Sequence, residues 1–329
     1  MGGRISSVLP LGGVCLSLQF RGNLYLLGAA FLWGTTFVAQ MTGMDELGPY
    51  SYSFGRYLIG LLSALVIWVV FRGQRARAKA AGTYQSGWKA GLGAGSFMLV
   101  GSLLQQVGMT GTTAGKAAFI TSLYIVIVPI GAVLLGKHIR KENWAGAAVA
   151  IVGLYLLSLN GSFELSFGDS LELVGSFFWA GQILFIDRFA SRVDGVELSV
   201  AQIFVCMTGS LVLMGLFETP TMTAFSDSWF AIVYGGVMSA GVAFTLQIFG
   251  QKYADPGPAA ILMSFEAVFG ALSSCLLLGE VLSAREIVGC VLMLAGALIT
   301  QAGLFFRYPL TSQPPSQRGE GPKGGGSPL

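Results

Sequence analysis

Long apolar stretches separated by short polar segments dominate the pattern of this chain. A helix that crosses a bilayer takes about 20 mainly apolar residues, and stretches of about this length recur along the sequence. They lie at 23–43, 49–71, 88–109, 114–136, 143–159, 170–190, 196–217, 228–251, 257–279 and 285–306. The segments between them are too short to hold a soluble domain. The pattern therefore predicts an all-α integral membrane protein with ten transmembrane helices.

Composition strengthens this prediction and argues against several classes of function. Of the 329 residues, 53% are apolar and 11% are charged, whereas an average soluble domain carries about 25% charged residues. The one histidine, His138, and four cysteines without CxxC spacing supply neither a catalytic triad nor a zinc site. We expect no enzymatic activity, no cofactor, no metal ion and no nucleic-acid partner.

Lysine and arginine are concentrated in alternate segments between the spans. With the N-terminus inside, the inner segments hold 16 of the 19 basic residues, the outer ends hold Lys116 and Arg285, and Arg56 lies within a span. Cytoplasmic loops are enriched in lysine and arginine. We therefore predict a multi-pass protein of the cell (plasma or inner) membrane with both termini in the cytoplasm.

The two ends of the chain need separate interpretations. Residues 1–22 are predicted as an N-terminal extension at the membrane surface, because the apolar stretch 5–20 is too short to span and is flanked by arginines. A signal peptide and a myristoylation signal at Gly2 are the alternatives. The tail, 308–329, is too poor in apolar residues to fold and is predicted to be a disordered cytoplasmic segment.

An internal repeat divides the spans into two halves, 23–159 and 170–306. The series Ala117-Ala118…Ser122 recurs as Ala259-Ala260…Ser264 at an offset of 142 residues, and Gly28…Phe31…Gly34 recurs as Gly175…Phe178…Gly181 at an offset of 147. Each half holds five helices, an odd number, so the second half enters the membrane from the opposite side. Inverted repeats of this kind are typical of secondary transporters, which bind substrate near the midplane where the halves meet.

A family resemblance covers nearly all of residues 23–303. The first half carries Leu-Tyr-Ile-Val-Ile-Val-Pro-Ile-Gly at 123–131 and Trp144-x-Gly146, and the second carries Ser264-Phe-Glu-Ala-Val-Phe and Leu-Leu-Leu-Gly-Glu at 276–280. These motifs, with Leu27-Gly-Ala-Ala-Phe-Leu-Trp-Gly34, resemble the EamA-type domain of the drug/metabolite transporter superfamily. The resemblance implies two EamA-like five-helix repeats and a substrate among amino acids, nucleobases, vitamins, drugs and other metabolites. Gly136-Lys137 departs from the Gly-Glu that is common in the first copy, and no proline follows Glu266.

Polar side chains deep within the spans are candidates for a substrate site, because they are costly in a membrane and usually face a cavity or a partner. Glu266 lies roughly 13 Å into its span at 1.5 Å per residue, and Tyr124 is its repeat equivalent. Arg56 lies in the second span, Trp33 in the first and Gln182 in the sixth. We predict that substrate binds between these five residues.

Structural roles are the alternatives for the same side chains. Glu266 is then a neutral acid bonded to a neighbouring helix, and Arg56 pairs with an outer carboxylate or extends toward the headgroups. The aromatic residues Trp33, Phe178 and Trp179 are candidates for a cavity lining that suits flat or apolar substrates, and packing in the core is the alternative for them. The functional hypothesis for Glu266 is protonation coupled to transport, since burial favours the neutral form of a carboxyl group.

Three further residues are candidates for gates. Gln105 sits toward the outer end of the third span and Gln247 toward the inner end of the eighth, so the repeat relates them as matched gates. A plain hydrogen bond between helices is the competing account. Pro129 removes a backbone hydrogen bond and makes a hinge possible in the fourth span.

Together these features predict a secondary transporter that moves small organic metabolites, such as amino acids or drug-like compounds, by alternating access. The family resemblance favours export. An uptake carrier for a vitamin or nucleobase is the alternative within transport, and a channel or scaffold subunit is the alternative class. The expected partners are a small-molecule substrate, the lipid bilayer and protons as the candidate coupling ion. We expect a monomer, because one chain already supplies both halves.

Overall fold

The computed structural model describes residues 9–11, 14–16, 18–44, 46–112, 114–158, 166–278 and 281–305. These residues are helical apart from connecting segments and a hairpin, in which Leu9–Leu11 pairs antiparallel with Val14–Leu16. The predicted N-terminal extension is therefore described only in part. The predicted disordered tail, 308–329, lies outside the described residues.

The helices follow the predicted order of spans. In the first half they are α1 (Leu18–Gly43), α2 (Pro49–Val70), α3 (Arg72–Ala80), α4 (Trp88–Gly108), α5 (Ala114–Thr121), α6 (Tyr124–Leu134) and α7 (Lys141–Ser158). In the second half they are α8 (Phe167–Phe189), α9 (Gly195–Phe217), α10 (Met222–Asp227), α11 (Trp229–Tyr234), a π-helical segment (Gly235–Ala243), α12 (Phe244–Gln251), α13 (Pro256–Met263), α14 (Glu266–Leu278) and α15 (Ala284–Phe305).

Six helical stretches among the described residues are long and apolar enough to cross a membrane. They are Pro49–Val70, Trp88–Gly108, Ala117–Leu134, Gly195–Phe217, Trp229–Gln251 and Pro256–Ser273. Helices α1, α7, α8 and α15 occupy the other four predicted positions. Large apolar side chains such as Val70, Leu134 and Leu276 are exposed on the outside, as expected for a surface that faces lipid rather than water.

The bundle has two chemically different ends. One end carries α3, with Arg72, Arg77 and Lys79, and we call it the basic end. There the Glu197 carboxylate accepts hydrogen bonds from Tyr84 Oη at 2.6 Å and from Gly87 N at 3.1 Å, which ties the segment before α4 to the start of α9.

The opposite end is held by carboxylates at helix N-termini. Glu218 accepts hydrogen bonds from the backbone N–H groups of Tyr50 (3.0 Å) and Ser51 (2.7 Å) at the start of α2. Asp169 and Ser166 form a reciprocal capping box at the start of α8. Negative charge at these positions complements the partial positive charge of a helix N-terminus.

Glycines allow α7 and α15 to pack closely along each other. A Cβ added at Gly153 would lie 2.6 Å from Gly289 O, and one added at Gly289 would lie 2.6 Å from Gly153 O. Gly146 and Gly296 meet in the same way, because a Cβ added at either one would lie 2.5 Å from the carbonyl oxygen of the other. These four glycines therefore allow close packing between the fifth and tenth of the predicted spans.

Two predicted spans are interrupted at equivalent positions of the repeat. The span 114–136 is divided at Ser122–Leu123 and the span 257–279 at Ser264–Phe265, so neither is the single helix that the sequence predicted. The backbone tightens there, with Ile125 N bonding to Ser122 O at 3.0 Å and Ala267 N bonding to Ser264 O at 3.2 Å. Hydropathy alone does not register such a break, because the residues on both sides remain apolar.

The eighth span also departs from a regular α-helix. Its middle, Gly235–Ala243, is a π-helix of nine residues, a form that is rare and frequent at functional sites. Gly236 and Gly241 pack there against α2, since an added Cβ would lie 2.6 Å from Ile59 Cβ and 2.7 Å from Ser63 Cβ, respectively. The apolar pattern predicted a transmembrane helix over this span and not the change of helix type.

Candidate functional site

A central cavity lies where the two halves of the chain meet. It has a volume of about 60 Å³, several times the roughly 10–15 Å³ that one water molecule needs. Its lining is Trp33, Gln40, Arg56, Gln105, Thr121 and Tyr124 from the first half, and Trp179, Gln182, Ile183, Ser239, Phe244, Gln247, Met263 and Glu266 from the second.

The cavity brings together all five side chains that the sequence predicted as a substrate site. Trp33, Arg56, Tyr124, Gln182 and Glu266 all border it, and so do the gate candidates Gln105 and Gln247. The structure thus places these residues in one site, while their role in binding stays a prediction.

Two candidates lie elsewhere. Pro129 is buried within α6 and does not border the cavity, and the interruption of its span lies at Ser122–Leu123 instead. Phe178 does not border the cavity either and packs toward Gly101 of α4, where an added Cβ would lie 3.4 Å from Phe178 Cβ. Of the three aromatic candidates, the structure therefore assigns Trp33 and Trp179 to the cavity wall.

Arg56 is a buried guanidinium without a carboxylate partner among the described residues. Its side chain is 5% exposed. Nη1 donates to Gln40 Oε1 at 3.1 Å and Nη2 to Tyr57 Oη at 3.0 Å, both neutral acceptors, and Nε has no acceptor in the described part of the chain. Because a buried charge normally acquires an opposite charge, this arrangement suits an anionic group entering the cavity.

Glu266 and Tyr124 face each other across the interface of the repeats. Tyr124 Oη donates to Glu266 Oε1 at 3.4 Å, a long and weak hydrogen bond. Each is the first residue of the second half of its interrupted span, α6 or α14. The breaks therefore place both polar groups at the middle of the bundle, where they border the cavity.

A cluster of buried amides closes the side of the cavity toward the basic end. Gln182 Nε2 donates to Gln247 Oε1 at 3.2 Å, and Gln247 Nε2 donates back to Gln182 Oε1 at 2.9 Å. Gln182 Nε2 also contacts Gln202 Oε1 at 3.3 Å. Gln105, near the end of α4, borders the cavity toward the opposite end.

Aromatic rings form one wall. Phe244, the first residue of α12, stacks on Trp179 with ring centroids 6.1 Å apart and lies 5.0 Å from the centroid of Trp33. The indole N–H groups of Trp33 and Trp179 have no hydrogen-bond partner in the described part of the chain. The wall thus offers flat apolar faces and two unused donors.

Several lining residues were missed by the sequence analysis. They are Gln40, Thr121, Ile183, Ser239, Phe244 and Met263. The sequence carried a signal for Thr121 and Met263, because they are repeat equivalents at the offset of 142. In the structure each ends the first half of an interrupted span. Gln40 met the same criterion as Arg56, a polar side chain within a span.

The site combines a basic and an acidic side chain from different halves of the chain. Arg56 comes from the first half and Glu266 from the second. Within the described residues, no three His, Cys, Asp or Glu side chains are placed to hold a metal ion. Repeats that meet at a central site formed by discontinuous helices are found in many transporter folds.

Comparison with known proteins identifies the family. The model of the EamA-like transporter family matches residues 20–159 and again residues 166–301. The chain belongs to this family of multi-pass membrane transporters, which is not a family of enzymes.

Curated relatives and a solved structure are similar to this chain over most of its length. An "Uncharacterized transporter" of Archaeoglobus fulgidus is 28% identical, with 90% of this chain and 91% of the relative covered. A "Probable amino-acid metabolite efflux pump" of Salmonella typhimurium is 25% identical over 84% of this chain and 93% of its own. A crystal structure with a TM-score of 0.70 and 21% identity covers 87% of this chain and 97% of that one, which supports the fold.

Proposed function

We propose that this protein is a secondary transporter that exports small zwitterionic metabolites, amino acids above all, by alternating access of its two halves. The observation that carries the proposal is that one cavity is lined by both the guanidinium of Arg56 and the carboxyl group of Glu266. Arg56 has no carboxylate partner and Glu266 no cationic partner among the described residues, so a substrate with one charge of each sign complements both. The Salmonella typhimurium relative, named as an amino-acid metabolite efflux pump, supports the same class and the direction.

Each part of such a substrate has a candidate contact. A carboxylate fits the guanidinium of Arg56, whose planar fork suits carboxylate oxygens. An ammonium group fits Glu266. A flat or apolar side chain fits the wall of Trp33, Trp179 and Phe244, and Gln182 adds a neutral polar contact.

Alternating access requires the cavity to open toward one end at a time. The amide pair Gln182–Gln247 closes it toward the basic end, and Gln105 borders it toward the opposite end, which supports the hypothesis of two gates. The irregular backbone at Ser122–Leu123 and Ser264–Phe265, together with the π-helical segment, supplies points at which these spans can bend.

Glu266 is also the candidate for coupling to protons. A carboxyl group that binds either a proton or the ammonium group of the substrate links the two by competition. Because each then displaces the other, inward proton movement would drive substrate outward.

We place the protein in the cell membrane with ten spans and both termini cytoplasmic. The concentration of basic residues around α3 supports the basic end as the cytoplasmic one. The inner membrane transporter of Escherichia coli named YedA, 23% identical over 88% of this chain, supports the location. One chain supplies both halves of the cavity, which supports a monomer.

Counterflow in proteoliposomes tests the proposal. Vesicles loaded with an unlabelled compound are diluted into a trace of the labelled one, with amino acids, nucleobases, vitamins and cationic drugs examined in turn. Transient, saturable accumulation of labelled amino acids supports an amino-acid carrier. Accumulation of another class alone would overturn the substrate assignment, and flux without saturation or counterflow would indicate a channel.

A further inference from the structure

Glu172 is a carboxyl that the proposed binding site does not use. It is the sixth residue of α8 and lies roughly 8 Å from the start of that helix at 1.5 Å per residue, on the side of the opposite end. Its side chain is completely buried. Gly108 of α4 leaves room for it, since a Cβ added there would lie 3.0 Å from Glu172 Oε1.

The two carboxyl oxygens of Glu172 have different surroundings. Oε2 accepts a hydrogen bond from Thr121 Oγ1 at 2.7 Å, whereas Oε1 is buried without a hydrogen-bond partner among the described residues. Among the side chains that the structure describes, its charged neighbour is Asp169, one turn earlier on α8, while α4 presents Gly108 and α5 presents Thr121.

The described residues provide Glu172 with no ion pair to lysine or arginine. An ionised carboxylate is costly to bury without a counter-ion, so this pocket suits the protonated acid. Glu172 is therefore stable in the closed bundle when it is protonated. A carboxyl group that binds a proton in this state and can release it in another is suited to carry protons.

Thr121 links Glu172 to the central cavity. Its hydroxyl bonds to Glu172, and the same side chain borders the cavity that contains Tyr124 and Glu266. On the other side, Asp169 accepts a hydrogen bond from Thr112 in the connecting segment after α4. Protonatable and hydroxyl groups therefore extend from the opposite end of the bundle to the cavity.

This connection is present on one side only. At the repeat offset of 142, Thr121 corresponds to Met263, and at the offset of 147, Glu172 corresponds to Tyr25. Met263 also borders the cavity, but its thioether neither donates a proton nor holds one. The two halves thus share the scaffold and differ in this pair.

We infer that Glu172 is a proton-binding relay that connects the opposite end of the bundle with the central cavity through Thr121. The inference rests on the proposed transport function and adds to it a route by which protons reach Glu266 from one side. In the proposed orientation this is the external side.

The relay conserves protons at each step. Uptake forms an O–H bond on Glu172 with a proton from water at the opposite end. For release, the Thr121 hydroxyl, which donates to Glu172 Oε2 in this structure, turns its proton toward the cavity. It then gives that proton to water or Glu266 while Thr121 Oγ1 takes the proton of Glu172, so the O–H bond of Glu172 breaks and Thr121 remains a neutral hydroxyl. One proton enters and one leaves, and no other bond changes.

Glu172→Gln tests the relay, because glutamine keeps the shape and the acceptor for Thr121 but cannot release a proton. Asp227→Asn, an exposed acid at the same end, is the matched control. We expect Glu172→Gln to keep amino-acid counterflow at equal pH and to lose the substrate-driven proton flux reported by a pH-sensitive dye inside the vesicles. The control keeps both.

Wild-type proton flux in Glu172→Gln, or counterflow without proton flux in the wild type, would overturn the relay. Absence of counterflow in the wild type would instead overturn the proposed function. Infrared pH-difference spectra test whether Glu172 titrates, and they do so independently of transport. They therefore also apply to a variant that loses counterflow. A titrating carboxyl band that Glu172→Gln removes and Asp227→Asn retains supports the relay, and an unchanged spectrum contradicts it.

Discussion

Tyr124 and Glu266 are 142 residues apart in the sequence and meet in the middle of the bundle, where Tyr124 Oη lies 3.4 Å from Glu266 Oε1. Each begins the second half of an interrupted helix. The duplicated break therefore brings equivalent positions of the two halves to a common point. In one half the position carries a phenol and in the other a carboxyl group, so only one of these two equivalent positions holds an acid.

Glu266→Gln is expected to abolish the dependence of transport on a pH gradient. The amide retains the size of the carboxyl group but can neither exchange a proton nor attract an ammonium group as a charge. The measurement is the rate of amino-acid transport with and without an imposed gradient. Glu142→Gln, an exposed glutamate at the start of α7, is the control and should respond as the wild type. A gradient that still accelerates Glu266→Gln would refute the coupling role.

Arg56→Gln is expected to weaken substrate affinity about 10- to 150-fold, since hydrogen bonds to charged groups contribute roughly 1.5–3 kcal/mol. Arg56→Lys should recover part of the loss, because lysine keeps the charge without the planar fork. The concentration dependence of counterflow measures both. Arg188→Gln, an exposed arginine at the basic end, is the control. Equal affinities for the wild type and Arg56→Gln would instead assign the guanidinium to its contacts with the rings of Tyr52 and Tyr57, whose centroids lie 5.9 Å and 4.7 Å away.

Gly153→Ala is expected to destabilise the protein by about 1–3 kcal/mol, the usual cost of overpacking. The added Cβ would meet the carbonyl oxygen of Gly289 at 2.6 Å, and backbone cannot move aside as a flexible side chain can. Gly215→Ala on α9 is the matched control, because nothing lies within 4 Å of its added Cβ. Thermal unfolding in detergent compares the two variants. A Gly153→Ala midpoint at or above that of Gly215→Ala would show that α7 and α15 are not held this closely.

The orientation predicts which ends of the helices a membrane-impermeant thiol reagent reaches. Thr83→Cys lies in the exposed segment before α4 at the basic end, and Met222→Cys is exposed at the opposite end. In a background with the native cysteines replaced by alanine, intact cells should label Met222→Cys, while Thr83→Cys should require opened membranes. The reverse pattern would invert the proposed topology.

The sequence predicted much of the scaffold and the chemistry of the cavity. The apolar stretches predicted the order of the helices, and the criterion of polar residues within spans found Arg56, Gln182 and Glu266, which the structure brings to one cavity. The repeat offset predicted that Tyr124 and Glu266 are equivalent positions, and the structure brings the two side chains together.

What the sequence did not predict depends on backbone detail and on packing across helices. The breaks at Ser122–Leu123 and Ser264–Phe265 keep the local hydropathy unchanged, so a pattern of apolar residues has no signal for them. The π-helical segment replaces an expected α-helix at similar composition. Glu172 lay near the predicted start of a span, where a carboxyl usually faces water, and its burial depends on the space that Gly108 leaves on α4.

The most direct test of the central claim compares a transported amino acid with two analogues that each lack one charge, its amide and its N-acetyl derivative. Competition in counterflow measures how well each binds. In the wild type the zwitterion should be preferred over both. Arg56→Gln should lose only the preference over the amide, and Glu266→Gln only the preference over the N-acetyl derivative. If both variants lost both preferences equally, or neither lost any, the cavity would not hold its substrate between Arg56 and Glu266.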